Sequence, residues 1–236
     1  MNPQVLVIEH EDDDPIHLMG TWMEGVDLTV CRPYQGDDVP ASADGYAGLV
    51  VMGGAMGAHD DEKAPWLPAV RELIRRTSRA RVPTLGICLG HQLCAVALGG
   101  EIEVNPRGRQ LGLLDIGWTA EAVDDELMGG VVGPRRAMHW NDDVVTRLPE
   151  GAVQLATAST GEVQGARHAP TVWGIQWHPE VDAALVARWA NDGGLTSTEK
   201  EQLLDDLGRA RSELDDAWRP LAERFASLVG ASSAAD

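Results

Sequence analysis

Residues 81–100 read RVPTLGICLGHQLCAVALGG, and the rest of the chain is read outward from them. Residues 82–87 are a short apolar run with Pro83 near its start, where a missing N–H costs least, so a buried strand is expected. Residues 89–98 follow as an apolar helix closed by Gly99-Gly100. Cys88 sits at the joint, flanked by Gly86 and Gly90 in a G-x-C-x-G pattern. This is the cysteine counterpart of the nucleophile elbow. The sharp turn lifts the side chain clear of the sheet, and the glycines remove Cβ atoms that would collide there. The helix N-terminus favours a thiolate and leaves free N–H groups for an oxyanion. Cysteine also packs well in cores, and Cys31 and Cys94 are read as such bystander thiols because neither has the glycine setting.

A second motif follows ninety residues after Cys88: Trp177-His178-Pro179-Glu180. An extended chain returns every second side chain to one face, so His178 and Glu180 can lie side by side. Alone, the tetrapeptide could be a solvated turn. Paired with the elbow, His178 becomes a candidate general base and Glu180 the carboxylate that orients it.

GICLGHQ and WGIQWHPE together resemble the nucleophile and His/Glu motifs of the class I (triad) glutamine amidotransferases. The likeness is greatest to the stand-alone branch related to the glutaminase half of GMP synthase, over residues 5–189. It implies a flavodoxin-like three-layer α/β sandwich with a mixed, mostly parallel central sheet. It implies Cys88, His178 and Glu180 as the triad. Gly54 and Leu89 would supply the backbone N–H groups of the oxyanion hole. Gly53 and Gln92 would help hold the glutamine chain. Where many relatives carry His-Gly at the end that reads the α-amino and α-carboxylate groups, this chain has Asn141-Asp142. Both residues tolerate positive φ, so the turn is expected to survive. The extra carboxylate leaves open either glutamine or another γ-glutamyl compound as substrate; a catalytically silent binding protein on this fold is the third reading, against which the intact Cys88, His178 and Glu180 set argues. No metal or organic cofactor is implied.

At 236 residues the chain can bury a sizeable core. Its formal charge of −18 argues against nucleic acid or an anionic membrane as direct partner. There is no long apolar run, so neither a signal peptide nor a membrane span is expected. Three irregularly spaced cysteines make no disulfide framework, and a reactive thiol suits a reducing cytoplasm.

Strand–helix alternation fills the first half and short β segments follow Gly100, which implies helices on both faces of a mixed sheet. Residues 4–8, 26–31 and 45–52 are the further early strands. The last of them runs into Gly53-Gly54, with no G-K-[ST] to suggest a Walker loop. Residues 9–14, EHEDDD, read as a solvated loop rather than a metal site. Gln164 and Arg167 resemble a Q-x-x-R segment without a stated role.

Residues 1–192 are expected to form the amidotransferase domain and residues 193–236 an amphipathic helical extension. In the extension, Thr196-x-x-Glu199 is a capping box and Leu207, Leu214, Leu221 and Leu228 recur every seven residues. Pro220 is expected to divide it into two helices. The apolar stripe would pack on its own domain; the competing reading is a docking or homodimer surface. No synthetase signature follows residue 190, so any ammonia acceptor would be a separate protein chain.

Overall fold

The computed structural model describes residues 2–233. In chain order the elements are β1 (Gln4–Ile8), α1 (His17–Trp22), β2 (Asp27–Cys31), β3 (Gly48–Val51), α2 (Leu67–Ala80), β4 (Thr84–Ile87), α3 (Leu89–Ala97) and β5 (Glu101–Val104). There follow β6 (Gln110–Asp115), β7 (Gly117–Trp118), β8 (Arg136–Asn141), β9 (Asp143–Arg147), β10 (Val153–Thr157), β11 (Val163–Ala169), β12 (Val172–Ile175), α4 (Ala183–Asp192) and α5 (Ser197–Ser233).

The main sheet runs β2-β1-β3-β4-β12-β11-β10-β7, with β9 joining β11 to β5. The first five strands are parallel and the return through β11 and β10 is antiparallel. The order β2-β1-β3-β4 is flavodoxin-like, with its switch point between β1 and β3. Alternation along the parallel strands divides the core. Val5, Val7, Val50, Leu85 and Ile87 face α1, α4 and α5, whereas Leu6, Ile8, Leu49 and Val51 face α2 and α3. The molecule is therefore a three-layer α/β sandwich, and the loops after β1, β3, β4 and β12 all open at the carboxyl edge of the sheet.

Several sequence expectations need correction. The β segments after Gly100 do not all join one sheet: β6 pairs with β8 in a separate two-stranded sheet, and β7 pairs with β10 in the main one. Strand β9 and helix α4 were not anticipated. Pro220 does not split the C-terminal segment, because α5 runs unbroken through it. Trp218, Leu221, Ala222 and Phe225 are all buried on either side of the proline and clamp the helix against the core. Arg135 donates to the Ala217 carbonyl at 2.8 Å, next to the break that Pro220 makes in the backbone ladder. The capping box forms: Glu199 Oε2 accepts from Thr196 N at 2.8 Å and Thr196 Oγ1 accepts from Glu199 N at 3.3 Å. The leucine stripe of α5 shares one core cluster with β1, β3 and β4, so its own domain covers that face.

The acidic stretch at residues 9–14 is also not a solvated loop throughout. Glu9, His10 and Asp14 are buried. Glu9 accepts from Ile16 N at 3.0 Å and from Arg32 Nε at 2.9 Å, and His10 Nδ1 accepts from Trp66 Nε1 at 3.0 Å. Only long-range partners could reveal this. Gln164 and Arg167 point to different places. Gln164 bonds Gln110 and His139, while Arg167 holds Asp125, which also accepts from Trp173 Nε1.

Candidate active site

The elbow forms where the glycine pattern put it. Cys88 has φ 50° and ψ −106°, a conformation a cysteine adopts only when its surroundings enforce it. The enforcement is close packing. A Cβ on Gly86 would lie 2.4 Å from the Gly90 carbonyl, and one on Gly90 would lie 2.0 Å from the Val51 oxygen. The Cys88 N–H is tied to the Ile175 carbonyl at 2.8 Å, which registers the elbow against the end of β12.

From that end the chain turns, and His178 makes an isolated antiparallel bridge to Met138, donating its N–H to the Met138 carbonyl at 2.8 Å. His178 Nδ1 donates to Glu180 Oε1 at 2.7 Å, which fixes the tautomer and leaves Nε2 as the free ring nitrogen of the imidazole. Trp189 closes over the imidazole, edge to face, at 4.7 Å between centroids. Burial opposes a charge on His178, but the sulfur of Cys88 and the carboxylate of Glu180 outweigh it and hold the imidazole well above its ordinary value. Burial raises Cys94 to about 12, and burial with the nearby Asp37 and Asp38 raises Cys31 to about 11, which disfavours the thiolate at both.

These side chains border a cavity of about 760 Å³ at the carboxyl edge of the parallel strands. Gly54, Leu89, Gln92, Asn141 and Asp142 all line it, together with Cys88 and His178. Gly53 lies behind that wall: a Cβ there would stand 3.2 Å from both Asp14 Oδ1 and His178 Cε1. A Cβ on Gly54 would be 3.0 Å from Leu89 Cδ2, so the glycine turn and the start of α3 converge beside the sulfur.

The Asn141-Asp142 joint differs from expectation. Neither residue has positive φ; the pair links β8 to β9 in ordinary backbone. Asn141 turns inward, donating to Gln110 Oε1 at 3.1 Å and to the Asp143 carbonyl at 3.0 Å. Asp142 turns to the rim, where Arg109 grips its two oxygens at 2.9 and 2.7 Å and also donates to the Gly193 carbonyl. That guanidinium holds the Asp142 carboxyl below its usual value.

Four participants were missed by sequence reasoning. Glu11 accepts from Ala55 N at 2.6 Å and so braces the glycine turn. Asp14 lies beside His178, and burial, with Glu11 next to it, raises its carboxyl well above the ordinary range despite the imidazole's attraction. Arg109 sits at the rim. Gln176 donates to the Cys88 sulfur at 3.5 Å. Only Gln176 had a local signal, since Gln176, His178 and Glu180 alternate in sequence. Asp14, His178 and Glu180 bring ligand atoms within 4.8 Å of one another, and His178 and Glu180 are already bonded to each other through Nδ1 and Oε1.

The sequence model of class-I glutamine amidotransferases matches residues 23–185. The chain belongs to that family. Among curated relatives of this amidotransferase, one of the subunits of the glutamine-hydrolyzing GMP synthase of Methanosarcina mazei is 41% identical over 104 residues, 42% of this chain and 51% of that one. The match thus spans about half the length of such relatives. The glutamine amidotransferase-like protein YfeJ of Salmonella typhimurium is 28% identical over 211 residues, covering 87% and 85% of the two chains. A crystal structure of a Thermotoga maritima glutamine amidotransferase superposes with a TM-score of 0.85 at 26% identity, covering 96% of this chain and 99% of that one. No helix among the described residues is long and apolar enough to cross a membrane.

Proposed function

We propose that this amidotransferase hydrolyses the side-chain amide of glutamine to glutamate and ammonia through a thioester on Cys88. His178 Nε2 takes the thiol proton and the sulfur attacks the amide carbon. The N–H groups of Gly54 and Leu89 face the developing oxyanion, each worth about 2.7–4 kcal/mol in the transition state. His178 returns its proton to the departing ammonia. Water, deprotonated by the same imidazole, then adds to the γ-glutamyl thioester and releases glutamate and the thiol. Glu180 keeps the imidazole in the required tautomer throughout. The observation that carries this reading is the Nδ1–Oε1 bond of 2.7 Å behind an imidazole that meets a strained, glycine-locked cysteine.

Relatives named as one component of a glutamine-hydrolyzing synthase favour a separate synthetase as ammonia acceptor. A reactive thiol suits a reducing cytoplasm. A second reading keeps the same residues: the open cleft of about 760 Å³ has room for a larger γ-glutamyl amide or peptide. The test is release of ammonia and glutamate from glutamine, run beside a γ-glutamyl panel. Cys88→Ala should abolish turnover of every substrate, a loss of at least about 10⁴-fold. Undiminished turnover in that variant refutes the mechanism.

A further inference from the structure

Gln176 is fully buried between the end of β12 and the His178 bridge, and no step above uses it. Its Nε2 lies 3.5 Å from Cys88 Sγ, and its Oε1 accepts from Gln92 Nε2 at 3.3 Å. The two ends of an amide can be exchanged unless a neighbour of fixed polarity distinguishes them. Here one does. Gln92 Nε2 also donates to the Asp143 backbone carbonyl at 3.2 Å, and a carbonyl only accepts. The Gln92 amide is thereby oriented with its NH₂ towards Gln176. The near end of Gln176 must then be its oxygen, and its NH₂ must face the sulfur.

We propose that Gln176 is a catalytic residue, an amide donor that stabilises the Cys88 thiolate and fixes the direction of its sulfur, with its polarity set through Gln92 by the Asp143 carbonyl. A donor to a charged sulfur favours the thiolate over the thiol, and it does so strongly where little water reaches. His178 and Gln176 hold the sulfur from two directions: one removes the proton and the other receives the charge that remains. The Asp143 carbonyl belongs to the joint after Asn141, so the chain of amides also links the wall that would read the amino-acid end to the nucleophile. The proposal rests on the reading of Cys88 as nucleophile.

The test is the pH dependence of Cys88 alkylation by iodoacetamide in the full chain, with the modified residue located by mass spectrometry. The reaction displaces iodide and needs no substrate, so it remains informative even if glutamine proves not to be hydrolysed. Gln176→Met should slow alkylation about tenfold at pH below the plateau and displace the profile to higher pH, without lowering the plateau. Gln176→Glu, which keeps the oxygen that Gln92 binds, should displace it further by placing a carboxylate against the thiolate. Gln92→Met should give a smaller displacement in the same direction, and it serves if the Gln176 variants do not fold. With a processed substrate, Gln176→Met should lower kcat and leave KM within threefold or so. A merely structural role would lower stability and leave the profile in place. Profiles of the folded variants that superimpose on wild type overturn the proposal.

Discussion

The elbow around Cys88 and the acidic segment at residues 9–14 border the same cavity but hold their shapes in opposite ways. The elbow is set by its own neighbours: Gly86 and Gly90 leave space that the turn and the Val51 backbone fill at contact distance. The acidic segment has no such local constraint. Its shape comes from partners far along the chain, Arg32 for Glu9, Trp66 for His10 and Ala55 for Glu11. Side chains two or three apart in it have opposite fates: Glu9 is buried, whereas Asp12 stays exposed beside Tyr34. The glycine spacing that permits the turn at Cys88 is thus written locally, although the Val51 and Ile175 backbone closes on it, and the wall around it is assembled by tertiary contacts.

The largest effect expected from breaking this contrast is Gly90→Ala. Its Cβ would stand 2.0 Å from the Val51 oxygen, so the elbow cannot close without shifting β3. The variant should lose roughly 3 kcal/mol of stability and most of its Cys88 reactivity, read by denaturant midpoint and alkylation rate. A stable, reactive Gly90→Ala would show that the elbow is looser than its packing implies. In the acidic segment, Glu9→Ala should cost about 1–3 kcal/mol by leaving Ile16 N and the Arg32 guanidinium unpartnered, while Asp12→Ala should change stability by about 0.5 kcal/mol or less. Equal costs at the two positions would restore the picture of one solvated loop.

This contrast explains what was legible in the sequence. Hydrophobic runs and glycine punctuation act over a few residues, so β1, β4, α3 and the placement of Cys88 and His178 could be read directly. The burial of Asp14, the grip of Arg109 on Asp142 and the unbroken helix through Pro220 depend on residues far apart in the chain. The exception is instructive. Gln176 alternates with His178 and Glu180, so its place on their face of the chain is written locally, yet it is easily overlooked because an amide carries no charge.

Acid should weaken the fold through its buried histidines. Burial lowers His10 and His139 to about 4 and His168 to about 3, from an unfolded value of 6.5. The unfolded chain therefore binds more protons between those values and 6.5. Stability from these groups is complete above pH 6.5 and falls as pH drops through the window, by up to about 1.4 kcal/mol per pH unit for each histidine. His178 has the opposite sign, because its raised value gives stability that is complete below its unfolded value and fades at higher pH. Thermal midpoints should decline from pH 6.5 towards 4; a flat profile would contradict the buried neutral imidazoles. The smallest effect is expected at the rim. Asp142→Gly removes an exposed ion pair with Arg109, worth about 0.2–1 kcal/mol, and should change kcat/KM for glutamine by less than about threefold. A large change would place that carboxylate against the substrate.

The most direct test of the account is acid-quench mass spectrometry of the full chain during turnover of glutamine. A γ-glutamyl thioester on Cys88, absent from Cys31 and Cys94, is the predicted result. It should fail to form in His178→Ala under the same conditions, since without the imidazole the thiol keeps its proton. An adduct on Cys94, or ammonia released at full rate by the Cys88→Ala variant, would contradict the account.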